Sequence, residues 1–333
     1  MPFIQPPVTP LPDDLDLIGQ TAIVTGATAG IGLALARQLL LLKASTVVLA
    51  VRNTSKGETV KADLLADAAI RSVNPDAVVK VMKLDAENYD SVKSFTEAFR
   101  AEHQDLHIAM LNAGVPGFNR FVAPTGHEST IQVNYLSNVL LTLELLPLLE
   151  ATAERTGVQS RVSWTGSRMA NRTSLATKSP VRPDETVMGH LDAEYSFYGL
   201  SRYADSKLLV FLFLREFALH YGPEKVIVNA YCPGTVNTGF SDVLPQPFRL
   251  MADAMKAMRA RSPEKAGWIG LHAAAVAGAE THGKQLDDKE IWEPGLFATS
   301  EESVRLQKML WNETVDEMSQ LTAIPTWMSK VVG

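Results

Sequence analysis

The sequence has few of the features that mark extracellular, membrane or nucleic-acid-binding proteins. Cys232 is the only cysteine in 333 residues, so no intrachain disulfide can form and a reducing compartment, the cytoplasm, is expected. The formal net charge of −6 is spread along the chain without a basic stripe, which argues against a nucleic-acid surface. A small molecule is therefore the expected partner.

Long apolar runs are also missing. The richest segments, Val139 to Leu149 and Leu208 to Leu214, fall short of the roughly 20 residues that a membrane span needs. Residues 1–12 contain five prolines and have neither the basic start nor the apolar block of a secretory signal. We expect residues 1–17 to form an extended arm and no part of the chain to span a membrane.

Apolar strand-like runs alternate with amphipathic helical stretches along residues 18–333. The predicted helical stretches are Ile31 to Leu42, Lys56 to Val73, Asn88 to Glu102, Glu128 to Thr152 and Tyr203 to Tyr221. The runs are rich in Val and Ile, as in parallel strands covered on both faces. The sequence therefore predicts an α/β protein, a Rossmann-type doubly wound parallel sheet with helices on both faces, in a single domain. Larger loops are predicted near 168–202 and 240–263, an irregular stretch over 283–299 and a C-terminal helix over 300–320. The predicted strands are Thr21 to Thr25, Thr46 to Val51, Val78 to Leu84, Ile108 to Leu111, Arg161 to Thr165 and Val226 to Tyr231.

Three glycines, Gly26, Gly30 and Gly32, follow the first strand and open a helix. Backbone without Cβ atoms can turn sharply and approach a pyrophosphate, whose charge is favoured at a helix N-terminus. A glycine-rich turn that binds nothing is the alternative. The predicted cofactor contacts in this turn are Gly26, Thr28, Ala29, Gly30, Ile31 and Gly32.

Acidic residues are absent from Ala27 to Gly57, where a carboxylate would bond the ribose 2′-hydroxyl of NAD. Arg52 at the end of the second strand, with Asn53 and Lys56, instead suits a 2′-phosphate. NADP(H) is therefore favoured over NAD(H), unless these cations only decorate a solvated loop.

Two further strand ends are predicted to contact the cofactor. Asp85, followed by Ala86, closes the third strand and can accept from an adenine amino group, or cap the helix that begins near Glu87. Asn112, Ala113 and Gly114 close the fourth strand, where small residues let the backbone lie against the cofactor.

Tyr203 and Lys207 stand four residues apart, so both point to one face of a helix. A phenol has an unperturbed pKa near ~10, and a nearby cation favours its phenolate form. The pair can therefore supply a proton donor near neutral pH, although such pairs also occur on ordinary helices.

Taken in order, the motifs resemble the short-chain dehydrogenase/reductase family, over roughly residues 18 to 280. They are Thr25-Gly26-xxx-Gly30-x-Gly32, Asn112-Ala113-Gly114, Asn134, Ser167, Tyr203-xxx-Lys207 and Pro233-Gly234-Thr235-Val236-Asn237-Thr238. The glycine spacing is similar to that of the single-domain members. The long separation of Ser167 and Tyr203 and the end of the second strand look like carbonyl-reductase-like and retinol-dehydrogenase-like members.

The resemblance implies roles for the matching residues. Tyr203 would be the general acid in reduction and the base in oxidation, and Lys207 would lower its pKa and bind the nicotinamide ribose. Ser167 would bond the substrate oxygen, and Asn134 would hold a water that links Lys207 to solvent. The nicotinamide-side loop would contribute Pro233, Gly234, Val236 and Thr238.

The resemblance also leaves alternatives. Ser163 is the fallback for Ser167, since Thr165 and Gly166 stand where many members have serine. Tyr198 is a competing phenol, but Arg202 occupies the position where its lysine would be. The apolar helices over 128–149 and 203–221 correspond to a pair that commonly forms a four-helix dimer interface in the family, which makes a homodimer plausible.

Residues 240–261 are predicted to meet the substrate. Phe240, Leu244, Phe248, Met251, Met255 and Met258 recur at helical spacing and would line a flexible apolar face or simply pack on the core. The same two interpretations apply to Trp164 and Phe197. His103 and His107 lack the zinc-protease arrangement, and no metal is expected.

The sequence thus predicts an NADP(H)-dependent ketoreductase-type oxidoreductase acting on a fairly hydrophobic ketone, aldehyde or alcohol. Reduction of an activated C=C bond is one alternative, and a non-catalytic NADP(H)-binding sensor or scaffold is the other.

Overall fold

In this computed structural model, residues 5–331 are described apart from Val243, Pro245 and Pro247. For Leu200, Ser241, Phe248, Met251, Ala252 and Met255 the description covers the backbone alone. The described residues form one eight-stranded sheet of order β3-β2-β1-β4-β5-β6-β7-β8, which confirms the predicted fold class. The strands are β1 Thr21–Thr25, β2 Thr46–Val51, β3 Val78–Lys83, β4 Ile108–Leu111, β5 Ser160–Thr165, β6 Val226–Cys232, β7 Gln285–Asp287 and β8 Glu290–Ile291.

Most of the strands that the sequence predicts have side chains covered on both faces. Every residue of β1, β4 and β6 is buried, because parallel strands connected by crossover helices lie between two layers. In β3 only Val79 is fully buried and the other residues are partly or largely exposed, because this strand lies at the edge of the sheet. β8 pairs antiparallel with β7 and closes the opposite edge; both strands lie in the stretch that the sequence predicts to be irregular.

The helices alternate with the strands. They are α1 Gly30–Leu41, α2 Thr54–Ala66, α3 Ala68–Val73, α4 Tyr89–Glu102, α5 Ser129–Ile131, α6 Ser137–Thr156, α7 Val187–Asp192, α8 Gly199–His220, α9 Phe248–Arg259, α10 Pro263–Leu271 and α11 Glu301–Ser319.

Two predicted helices are interrupted. The helix predicted over Lys56 to Val73 divides at Asp67, whose carboxylate accepts a hydrogen bond from Ala69 N and caps α3. The stretch predicted over Glu128 to Thr152 passes from α5 to α6 through a π-helical turn, Gln132–Leu136. The C-terminal helix begins as predicted, with Ser300 as its cap.

Each face of the sheet carries its own apolar core. On one face α1 packs against α10, and Leu35, Leu39 and Ile269 are among the buried residues of that core. On the other face lie α4, α6 and α8, and α11 packs over α8 as a further layer. Trp311 of α11 stacks on Phe213 of α8 with ring centroids 5.7 Å apart.

This outer layer changes the interpretation of the two apolar helices. Residues 137–146 are all buried, as are 204–214, so within the described chain α6 and α8 leave no continuous apolar face for a second copy. The dimer interface predicted on these helices stays a prediction, although α11 and the core already cover much of their apolar surface. The span Ser129–Thr156 is long and apolar enough to cross a membrane, but 78% of its apolar window is buried inside the protein.

Candidate active site

The predicted site residues converge at the carboxyl ends of the central strands. The order β3-β2-β1-β4-β5-β6 places β1 and β4 side by side, although β2 and β3 intervene between them in the chain. Such a reversal of strand order opens a crevice at the strand ends, where doubly wound sheets bind their ligands. The loops after β1, β4, β5 and β6 carry most of the residues singled out above.

The glycine turn has the shape that a dinucleotide requires. Gly26 and Gly30 adopt φ of +67° and +56°, a region that favours glycine. A Cβ atom on Gly32 would overlap Gly26 O. Ala29 is the N-cap of α1 and has no side-chain oxygen, so the first amides of the helix are available to a pyrophosphate. Thr28 and Ile31 flank these amides in the turn.

The fourth strand end is tied to this turn through Thr25. Its hydroxyl accepts hydrogen bonds from the backbone N–H groups of Asn112 and Ala113, both at 2.9 Å. The Asn112 side chain donates to Thr25 O at 3.0 Å. Asn112 therefore holds the β1 and β4 ends together. Ala113 lies beside Gly26, because a Cβ atom on Gly26 would come within 3.1 Å of Ala113 Cα.

At the second strand end, the Arg52 side chain is 68% exposed and its guanidinium lies 3.9 Å from the Glu87 carboxylate. Asn53 caps α2 by accepting from Lys56 N at 3.0 Å. Its side chain is thus committed to the helix, whereas the Arg52 guanidinium faces solvent and can receive an anion.

The third strand end differs in detail from the prediction. The Asp85 carboxylate accepts from Glu87 N at 3.2 Å, and Asn88 is the residue that caps α4. The turn ahead of the helix separates Asp85 from the N-cap position. Ala86 O accepts from the Ser137 hydroxyl at 2.6 Å, which ties this loop to α6.

Tyr203 and Lys207 lie together on α8, near the end of β5. The Lys207 ammonium donates to Thr165 O at 2.6 Å and lies 5.4 Å from the centroid of the Tyr203 ring. The Phe240 ring packs edge-on against Tyr203, with centroids 5.4 Å apart. Ser167 follows β5 and its hydroxyl accepts from Met169 N at 3.1 Å.

Burial is the largest influence on the pKa values of this pair, and the prediction that Lys207 lowers the pKa of Tyr203 stays a prediction. Burial raises the pKa of the Tyr203 phenol, as does the neighbouring Cys232 thiol, whereas a hydrogen bond with Ser167 lowers it. Burial lowers the pKa of Lys207 to about 8. The ammonium bonds the Thr165 carbonyl in this arrangement.

Asn134 lies in the π-helical turn between α5 and α6 and is fully buried. Its amide oxygen accepts from Val115 N at 2.8 Å, and its amide nitrogen donates to Val115 O at 2.9 Å and to Ser206 Oγ at 3.0 Å. It therefore joins the loop after β4 to α8, one residue from Lys207. A Cβ on Gly114 would approach Asn134 Oδ1 to 3.1 Å.

The loop after β6 reaches the glycine turn. Gly234 adopts φ of +74°, and Val236 forms a parallel β-bridge with Arg261. The Arg261 guanidinium also donates to the Pro233 carbonyl at 3.4 Å. Thr238 lies over Gly30, since a Cβ there would come within 3.1 Å of Thr238 Cγ2. This places Thr238 at the predicted pyrophosphate position.

Several alternatives lie elsewhere. The Ser163 hydroxyl is buried within β5 and donates to Asn229 at 2.7 Å, while Tyr198 is the half-exposed N-cap residue of α8. Trp164 packs in the core against Phe213. Among the described residues, no three His, Cys, Asp or Glu side chains are grouped to hold a metal.

The two predicted histidines have packing roles. His107 Nδ1 accepts from Thr21 N at 3.1 Å, and the His103 ring stacks on Phe99.

The predicted substrate face is described only in part. Leu250 and Met258 are 62% and 61% exposed, and Leu244 is partly buried. The side chains of Phe248, Met251 and Met255 lie outside the described residues. Phe197 packs under the Arg202 guanidinium, 5.3 Å from the ring centroid, so it belongs to the buried side of α8.

Gln285 is a site residue that the sequence analysis missed. Its side chain, from β7, is 2% exposed and accepts from Ser167 N at 3.1 Å, while a Cβ on Gly166 would overlap it. Gln285 lies 118 residues after Ser167, in a stretch without apolar periodicity. No sequence pattern therefore indicates that it belongs to the site.

A doubly wound sheet with a glycine turn at its switch point and a Tyr–Lys pair beside the same strand ends defines the class of dinucleotide-dependent oxidoreductases. A family model for short chain dehydrogenase matches residues 20–170. The chain is 49% identical to short chain dehydrogenase yanD of Aspergillus niger over 97% of this chain and 98% of that protein. It is 48% identical to short chain dehydrogenase macD of Penicillium terrestre, with the same coverage.

Two solved structures share the fold. The 3-ketoacyl-(acyl-carrier-protein) reductase of Brucella melitensis, complexed with NADH, superposes with a TM-score of 0.60 at 19% identity, covering 82% of this chain and 97% of that one. The Pseudomonas aeruginosa RhlG/NADP complex gives 0.61 at 22% identity, covering 84% and 98%. The chain belongs to the short-chain dehydrogenase/reductase family and is an oxidoreductase of that family.

Proposed function

We propose that the protein is an NADP(H)-dependent oxidoreductase that interconverts a fairly hydrophobic ketone or aldehyde and the corresponding alcohol. The observation that carries this proposal is the convergence of Tyr203, Lys207 and Ser167 at the same strand ends as the glycine turn. Phe240 adds an apolar ring beside the phenol, which suits an apolar substrate.

The residues present fit a dinucleotide, because the turn through Gly26, Gly30 and Gly32 leaves a cradle that side chains would fill. The cofactor supplies the hydride when it is bound. Tyr203 gives the proton to the substrate oxygen in reduction and receives it in oxidation. Ser167, held through its backbone by Gln285, donates to the same oxygen as its charge develops.

Lys207 has a second task in this proposal. Its ammonium bonds the Thr165 carbonyl, lies beside the Tyr203 ring and would bind the nicotinamide ribose. Asn134 fixes the segment of α8 that carries Lys207 through Ser206, so that the cation and the phenol keep their separation.

The replacement Tyr203→Phe tests the acid–base role, because it removes one hydroxyl and keeps the ring against Phe240. We expect NADPH binding, followed by fluorescence titration, to be retained and turnover to fall by a factor on the order of 10² or more. Undiminished turnover would remove Tyr203 from the mechanism. Assays with bulky ketones, aldehydes and enones, followed by product analysis, distinguish C=O reduction from C=C reduction. A protein that binds NADPH but turns over none of these compounds would be a sensor or scaffold.

The replacement Arg52→Ala tests the preference for NADP(H), which the exposed guanidinium supports. Loss of a bidentate bond to a 2′-phosphate should weaken NADPH about tenfold or more and leave NADH almost unchanged. Lys61→Ala is the matched control, since Lys61 is a cation of α2 paired with Glu58. An equal loss for both cofactors would contradict 2′-phosphate recognition.

A further inference from the structure

We propose that Gln5, in the N-terminal arm, is a positioning residue for the nicotinamide-side loop, residues 233–238. The proposal rests on the proposed function, because it assigns to the arm a task at the same dinucleotide site. The sequence of this proline-rich arm indicates an extended segment and no role at the site.

The Gln5 side chain pairs with the loop as a neighbouring strand would. Its amide nitrogen donates to Thr235 O at 2.9 Å, and its amide oxygen accepts from Thr235 N at 2.8 Å. The same nitrogen donates to Arg259 O at 2.6 Å, at the last residue of α9. One side chain therefore satisfies both backbone groups of Thr235 and links them to the end of the substrate-side helix.

Arg261 also holds the arm against the nicotinamide-side loop. Its side chain is 5% exposed, and its guanidinium donates to Pro6 O at 3.0 Å, to Pro233 O at 3.4 Å and to Asp288 at 2.9 Å. Its backbone N–H also donates to Thr235 O at 2.9 Å. The buried Arg261 guanidinium thus joins the arm, the loop and the turn between β7 and β8.

The far end of the loop contacts the cofactor and substrate positions. Thr238 lies over Gly30 of the glycine turn, and Phe240, two residues later, packs on the Tyr203 ring. Gln5 lies so close to Gly234 that a Cβ there would overlap its amide oxygen. A shift of the loop at Gly234 and Thr235 therefore changes the position of Thr238 against the pyrophosphate.

The test compares Gln5→Ala with Lys289→Ala in the full-length protein. Lys289 holds the same arm at Thr9 and Pro10, with hydrogen bonds of 2.9–3.1 Å, but it does not contact the loop in the described structure. For Gln5→Ala we expect the Kd of NADPH to rise about fivefold, as loss of several part-exposed hydrogen bonds would cause. For Lys289→Ala we expect no change, and both variants should keep the wild-type Tm within about 2 °C.

A second pair of variants separates the arm from Gln5 itself. Deletion of residues 2–4 retains Gln5 and should leave NADPH binding unchanged, whereas deletion of residues 2–7 should reproduce the loss. Backbone hydrogen exchange in the cofactor-free protein gives a readout that does not depend on activity. The Thr235 N–H should lose protection in Gln5→Ala and in the deletion of residues 2–7, but not in Lys289→Ala.

The outcomes are distinct. An unchanged Kd or unchanged exchange at Thr235 in Gln5→Ala would overturn the proposal, and so would an equal loss in Lys289→Ala. A wild-type protein that binds no dinucleotide would overturn the proposed function, and exchange at Thr235 would then still decide whether Gln5 holds the loop.

Discussion

Arg202 precedes Tyr203 in the sequence and is fully buried between two buried carboxylates. Its guanidinium lies 3.8 Å from Glu128 and 3.9 Å from Asp205, and it donates to Ser196 O at 3.2 Å. Asp205 in turn accepts hydrogen bonds from the Thr173 hydroxyl at 2.8 Å and from Ser174 N at 2.7 Å. The residues around Tyr203 therefore fix both ends of the 168–202 insertion to α8.

Replacement of this cation should be costly. Burial raises the pKa of Asp205, and the Arg202 charge opposes that shift, so Arg202→Met leaves two buried carboxylates without a compensating charge. We expect the free energy of unfolding to fall by about 3–5 kcal/mol, measured by urea denaturation. Arg182→Met is the control, because its 63%-exposed side chain should contribute less than about 1 kcal/mol. Similar losses in the two variants would count against a special role for Arg202.

At the scale of elements, α11 fastens the insertion from outside. The Glu313 carboxylate accepts hydrogen bonds from Val187 N and Met188 N, both at 2.8 Å, and so binds the N-terminus of α7, where negative charge is favoured. Glu317 lies 3.3 Å from the His127 ring, whose other nitrogen lies 2.8 Å from Asp192. His127 therefore bridges α11 and the end of α7.

This bridge predicts a pH dependence. Burial lowers the pKa of His127, but hydrogen bonds to Asp192 and Glu317 outweigh it and raise the pKa to about 9. Because the folded value lies above the unfolded value near 6.5, the stabilisation is complete below pH ~6.5 and is lost as the pH rises through about 9, a change on the order of 3 kcal/mol. The difference in unfolding free energy between wild type and His127→Gln, measured from pH 6 to 10, should shrink accordingly. A constant difference would contradict the assignment.

The sequence predicted the elements that follow one simple pattern. The bounds of β1, β2 and β4 agree to the residue, because a continuous apolar run between turn residues has few other structures available. The split at Asp67 and the π turn around Asn134 were not predicted, since caps and extra residues inside a helix do not alter its overall periodicity.

Contacts between distant segments could not be predicted. The bonds from Gln285 to Ser167 and from Gln5 to Thr235 each join polar residues more than a hundred positions apart. Neither residue belongs to a motif, and the three-residue strand β7 that carries Gln285 is too short to show a period. The contact of the Lys207 ammonium with the Thr165 carbonyl could not be predicted either, because its acceptor is a backbone group.

For the whole molecule, the layer formed by α11 predicts the state of association. Trp311 and Leu310 are fully buried, and Trp311 stacks on His220 of α8 with centroids 4.8 Å apart. The apolar surface of α8 is thus already used within one chain. We expect light scattering after gel filtration to give a mass near 36.3 kDa at micromolar concentration. A mass of about twice that value would contradict the expected monomer and favour the homodimer that the sequence predicts.

The position of α11 after all other elements in the sequence also bears on how the molecule is assembled. A nascent chain that has emerged as far as β6 already holds the glycine turn and its supporting strands, whereas the helix that secures the insertion around the Tyr–Lys pair has yet to be synthesised. Domains tend to fold as their parts become available. The half that carries the glycine turn can therefore form first, and the insertion around the Tyr–Lys pair is secured only when α11 docks.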